Sequence, residues 1–190
     1  FADRTTQLLE IYPKEFSYAQ MNLLDSHDIP RFLSLVQGDV RRLKLAYLFM
    51  LTYPGAPTIY YGDEIGMTGG RDPNNRKSFP WDKSQWNQDL HDYVRELITI
   101  RHSMPVLRTG SYEPIHAQGQ VLAYLRREFE ETVLVVINAS DSPQTLTINL
   151  NGAFDELTVL QDQVGDESFT VENGALNAIT LPAQSGLILA

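Results

Sequence analysis

Apolar and polar positions alternate with different periods in the two halves of the chain. Residues 21–24 (Met-Asn-Leu-Leu) form a short, largely apolar run that breaks abruptly into Asp25, Ser26, His27 and Asp28. So short a run, bounded by polar residues, fits a buried parallel strand better than a helix. Further on, Leu43, Tyr47, Met50 and Leu51 recur at i, i+4, i+7 and i+8, the spacing of one helix face. Asp39 is placed to cap that helix and Pro54-Gly55 to stop it. A second buried strand is expected over residues 58–61, closed by Gly62. Strand, helix and strand make a right-handed βαβ unit. An earlier helix carries Leu8, Leu9 and Tyr12 and ends at Pro13.

From residue 66 to 85 the period dissolves into Gly, Pro, Asn and Asp, with Phe79 and Trp81 interleaved. A stretch this long without periodicity inside a compact domain is functional or disordered, and the large aromatics favour function. Leu90, Tyr93, Leu97 and Ile100 then define a helix over residues 88–102, ended by Met104-Pro105. After residue 105 the texture becomes β-rich. Two runs within QVLAYLRREFEETVLVVINAS flank a polar turn at residues 128–131, and QTLTINL and NAITLP alternate as half-buried strands do. Asn151-Gly152 and Asn173-Gly174 are turn dipeptides. The expected division is residues 1–105 as an α/β part and 106–190 as an antiparallel β-sandwich.

Composition narrows the partners. A net charge of −9 argues against nucleic acid and anionic membrane surfaces, which select basic faces. No apolar run approaches the ~20 residues of a bilayer span. The absence of cysteine excludes disulfides and thiol chemistry and leaves the compartment open, with the cytoplasm favoured over secretion. Phe1 is no initiator Met, and the opening FADRTTQLLEIYP is neither a signal peptide nor an evident domain start, so the chain reads as part of something longer.

The chemistry concentrates where the first strand ends. Polar residues at the carboxyl end of a parallel strand sit where α/β folds bind ligands. Asp25, His27 and Asp28 lie there. The ordinary alternative is a strand-to-loop junction, with Asp28 capping the helix after Pro30 and His27 bonded to backbone. A metal phosphohydrolase would need further His and Asp ligands, and His91 and His102 come without an accompanying acid pattern. Among the aromatics, Trp86 reads as packing and Trp81 stays open. The Arg126-Arg127 pair, beside Glu128, Glu130 and Glu131, reads as a solvated hairpin end.

The combination of LLDSHDIPRF with GAPTIYYGDEIGMTGGRDPNNR and FPWD resembles the α-amylase family of glycoside hydrolases, and within it the neopullulanase, cyclomaltodextrinase and maltogenic amylase branch. The resemblance spans roughly residues 1–105, and the β-rich remainder fits that family's C-terminal domain. It implies the C-terminal part of a (β/α)8 TIM barrel, strands 7 and 8 with their helices, followed by an all-β sandwich domain. His27 and Asp28 match the family's histidine and third catalytic carboxylate. Asp72 and Arg76 match an Asp and Arg that hold glucose units on the non-reducing side of the cleaved bond. Tyr61, Glu64 and Arg31 match supporting positions.

Such enzymes cleave through an oxocarbenium-like transition state with a nucleophilic carboxylate and a carboxylic acid ~5–5.5 Å apart. By the family pattern those two groups lie before Phe1, so the isolated chain is expected to be inactive and to need the N-terminal part of the barrel as its partner. Its substrate would be an α-glucan oligosaccharide, a cyclodextrin or pullulan. A transglycosylase or isomerase of the same superfamily, or a non-catalytic barrel relative that only binds, would carry the same motifs. No cofactor is implied. Asp72, Asn74 and Asn75 offer oxygens to calcium, but Arg76 alongside favours a sugar.

Overall fold

The computed structural model describes residues 1–190. Two short helices, α1 (Ala2–Glu10) and α2 (Lys14–Ser17), precede strand β1 (Met21–Leu23). Helices α3 (Phe32–Leu35) and α4 (Val40–Thr52) lead to β2 (Ala56–Thr58). A long loop with three single 3₁₀ turns reaches α5 (Gln88–Ser103) and α6 (Val106–Thr109). Eight strands complete the chain: β3 (Ser111–Gln118), β4 (Val121–Glu128), β5 (Glu131–Asn138), β6 (Gln144–Asn149), β7 (Val159–Gln161), β8 (Ser168–Thr170), β9 (Ala175–Leu181) and β10 (Ser185–Leu189). No helix is long and apolar enough to cross a membrane.

β1 and β2 pair in parallel, Met21 opposite Ala56 and Leu23 opposite Thr58, with α4 as the crossover. The Asp39 carboxylate accepts from the Arg41 N–H at 3.0 Å, satisfying one of the donors orphaned at the start of α4. Leu43, Tyr47, Met50 and Leu51 are all buried. At the other end Gly55 takes a left-handed φ of +119°, and a Cβ there would collide with the Asn22 side chain. Its lack of a side chain lets the turn lie against β1, where the Asn22 amide donates to the Pro54 carbonyl at 2.8 Å.

Two sequence expectations are corrected here. The second strand occupies residues 56–58 rather than 58–61, because the Tyr61 carbonyl turns to accept from Arg31 instead of joining the ladder. The strands are also not buried: Met21 is 63% and Leu23 38% exposed. A sheet of two strands leaves each with one unpaired edge and too little cover on its faces.

α5 lays Leu90, Val94, Leu97 and Ile100 against α4 in a core that continues into the β module. Its N-cap is Asn87, whose side-chain oxygen accepts from the Leu90 N–H at 3.0 Å. The main sheet has the order β10-β5-β4-β3 and is antiparallel, and β6-β9 and β7-β8 form two further pairs. On one face of this sheet, Ala123, Leu125, Leu134 and Val136 pack with Ile148, Leu160, Leu176 and Leu181 to fill a sandwich core. On the other, Leu122, Tyr124, Val133, Val135 and Ile137 join the core of α4 and α5. β4 and β5 are therefore buried on both faces, which explains their nearly continuous apolar runs.

The seam between the halves corrects another reading. Arg126 is not solvated but fully buried. Its guanidinium donates to the carbonyls of Thr52, of Leu107 at 2.7 Å, of Gly110 at 2.9 Å and of Ser111 at 2.9 Å. Arg101, also buried, donates to Leu51 at 2.7 Å, Leu107 at 2.8 Å and Gly55 at 2.6 Å. Two cations thus meet the carbonyl-rich C-terminal end of α4, where the helix dipole favours positive charge.

Candidate functional site

The site is built where β1 gives out. Asp25, two residues past the strand, is buried, and its Oδ2 accepts from the Phe32 N–H at 2.5 Å, capping α3. Asp25 thereby fills the capping role that the ordinary junction reading gave to Asp28. The Asp28 N–H donates to Ser26 Oγ at 3.2 Å, which tightens the turn and leaves its carboxylate outward. His27 and Asp28 stand side by side, Nε2 to Oδ1 at 3.3 Å, with side chains 65% and 70% exposed.

Beneath them lies Arg31, fully buried. Its Nη1 pairs with Asp63 Oδ1 at 2.6 Å and donates to the Tyr61 carbonyl at 2.8 Å, while Nε donates to the Asn75 carbonyl at 3.1 Å. The guanidinium also lies over the rings of Tyr60 and Tyr61, 4.6 and 4.9 Å from their centroids. Burial, with Asp25 alongside, pushes the Asp63 carboxyl up to about 8 against the opposing pull of Arg31. One cation thus underlies two buried acids, and the turn, the β2 loop and the long loop all meet on it. Asp25 Oδ1, Arg31 Nη2 and Asn75 Oδ1 are buried there without a protein partner.

Folding brings the four candidate residues together. Arg76 reaches Asp72 Oδ1 with its Nε at 3.1 Å and Asp28 Oδ1 with its Nη2 at 4.0 Å, and the same Nε donates to the His27 carbonyl at 3.0 Å. Arg76 is the hub: two carboxylates and the His27 carbonyl meet one guanidinium on an open surface, with the His27 imidazole beside Asp28. Such a set presents carboxylate acceptors and guanidinium donors together on one surface.

Other candidates fall elsewhere. Trp86 packs between Phe79 and His91 and donates its indole N–H to the Pro80 carbonyl at 2.7 Å. Trp81 touches Phe79 and is otherwise 83% exposed. Asp72 faces Arg76 and the Asn75 amide nitrogen faces backbone carbonyls, and no three His, Asp or Glu groups are gathered in a metal-holding set. Two surface cavities of about 410 and 390 Å³ lie on the α5 side, and none of the four candidates lines them. Sequence reasoning gave Asn75 no structural part. Its signal was faint: one asparagine among polar neighbours in DPNNR.

Comparison with known proteins fixes the family. Residues 3–108 match the model of the alpha amylase catalytic domain, more than half of the chain. The chain belongs to the alpha-amylase family. Residues 112–188 match the neopullulanase-like C-terminal domain. A cyclomaltodextrinase of Geobacillus thermopakistaniensis is 47% identical over 143 residues, which is 74% of this chain and 24% of that enzyme. The structure of Ttha1563 from Thermus thermophilus superposes with a TM-score of 0.91 at 38% identity, covering 99% of this chain and 39% of that one. The Nostoc punctiforme debranching enzyme follows with a TM-score of 0.88 at 39% identity, covering all of this chain and 39% of its own. The chain spans about a quarter of the length of its curated cyclomaltodextrinase relatives. Its architecture is that of the family's C-terminal part: two strand–helix units of the barrel, then a β-sandwich.

Proposed function

We propose that this chain is the substrate-gripping C-terminal part of a retaining α-glucan hydrolase that cleaves α-1,4 bonds of maltooligosaccharides, cyclodextrins or pullulan. The observation that carries this reading is the convergence of His27, Asp28, Asp72 and Arg76, from two loops about fifty residues apart, around one exposed guanidinium. Asp28 accepts from ring hydroxyls of the sugar at the cleaved bond, and His27 donates to them. Hydrogen bonds that strengthen as the ring flattens lower the barrier, because they are worth more in the transition state than in the ground state. Asp72 and Arg76 hold the next glucose units on the non-reducing side. The nucleophile and the general acid/base come from other strands of a completed barrel, since two strands cannot close one.

The test is twofold. The enzyme with its barrel complete should release products from maltooligosaccharides with the anomeric configuration retained, as followed by NMR of the fresh product. The isolated 190 residues should release none. Inverted product, or cleavage by the isolated chain, would overturn this assignment of roles.

A further inference from the structure

We propose that Asn75 is a positioning residue that holds the backbone of the His27–Asp28 turn in the geometry that grips the sugar. The inference rests on the reading of that turn as part of an α-glucan site. Asn75 is fully buried within an otherwise exposed run, its neighbours Asn74 and Arg76 both facing solvent. Its amide nitrogen donates to the His27 carbonyl at 2.8 Å and to the Ile29 carbonyl at 3.0 Å. These two carbonyls flank Asp28, so one side-chain amide clamps both sides of the residue that carries the carboxylate.

Little else fixes that backbone. Residues 26–30 make no backbone–backbone hydrogen bond. Besides Asn75, the turn has the Ser26 hydroxyl, which accepts from the Asp28 N–H, and Arg76 Nε on the His27 carbonyl. Asn75 is itself anchored. Its carbonyl accepts from Arg31 Nε at 3.1 Å, and Gly69 lies so close that a Cβ there would collide with the backbone of Asn74 and Asn75. The Gly69 carbonyl in turn accepts from the Arg31 N–H at 2.9 Å. The chain of support runs from buried Arg31 through Asn75 to the exposed turn. A side chain of this length with two donor hydrogens is what the two carbonyls require; aspartate has the shape without the donors.

The test uses the enzyme with its barrel complete, each variant assayed well below its own unfolding midpoint. Asn75→Ala should lower kcat on maltooligosaccharides about ten- to a hundredfold, the scale of a small misplacement of a reacting group, with KM changed far less. In an Asp28→Asn background the same substitution should add less than about threefold, because both act through one group. Asn75→Asp, similar in shape and without donor hydrogens when ionised, should reproduce the kcat loss. A kcat of Asn75→Ala and Asn75→Asp equal to wild type, or losses that multiply with Asp28→Asn, would overturn the proposal and leave Asn75 a packing residue. An enzyme indifferent to Asp28→Asn would instead overturn the functional reading beneath it.

Discussion

Arg31 and Arg126 are both fully buried, and their surroundings differ in kind. Arg31 lies under the open turn, paired with Asp63, beside Asp25, and with one nitrogen lacking a protein partner. Arg126 lies at the seam of the two halves, bonded only to carbonyls, with no carboxylate in its set. Burial without a counter-charge depresses the pKa of both Arg126 and its companion Arg101, the latter to about 10. At the seam, charge meets dipoles that do not titrate, and the arrangement is indifferent to ordinary pH. Under the turn, charge meets acids that do titrate, and the loops it holds carry exposed functional groups. The first arrangement ties the two halves together, and the second holds the loops that carry the proposed site.

The largest expected effect comes from breaking the seam. Arg126→Ala strands four carbonyls and should cost about 4 kcal/mol of unfolding free energy, read from denaturant midpoints. Arg126→Lys keeps the charge but loses the planar fork and should cost roughly half as much. A loss below ~0.5 kcal/mol for Arg126→Ala would place it with ordinary surface substitutions and erase the contrast.

The pH dependence comes next. Asp63 is held well above its ordinary 3.8, so the folded chain binds more protons than the unfolded one between pH about 4 and 8. Stability from this group is full at acid pH and is lost as pH rises through its raised pKa. Asp63→Asn should flatten that part of the stability–pH curve while Arg126→Lys leaves its slope unchanged. A slope that survives Asp63→Asn would locate the titration elsewhere.

The smallest effect is a surface control. Lys44 and Asp89 pair at 2.7 Å, but the Asp89 side chain is 81% exposed. Lys44→Ala should change stability by less than ~1 kcal/mol, and less still at high salt.

The same contrast shows what the residues reveal by themselves. α4 and α5 were legible because their apolar positions keep helical spacing and Asp39 and Pro54 mark the bounds of one of them. β4 and β5 were legible because burial on both faces writes an apolar run. Arg126 was not, since a cation between polar neighbours looks alike whether it meets water or the end of a distant helix. At the site, the two polar loops could each be seen, but their meeting at Arg76 came from resemblance, because no local pattern links residues 28 and 76. The division between Asp25, which caps, and Asp28, which points outward, needed coordinates. Both are acids at a strand end.

The most direct measurement compares the two regions in one enzyme. With the barrel complete, Asp28→Asn should lower kcat on maltooligosaccharides by about 10²–10³-fold, the scale of losing one preorganised transition-state contact, with its unfolding midpoint unmoved. Arg126→Lys should do the reverse, lowering the midpoint and leaving kcat intact. An Asp28→Asn enzyme that keeps its kcat would contradict the account, whatever happens at the seam.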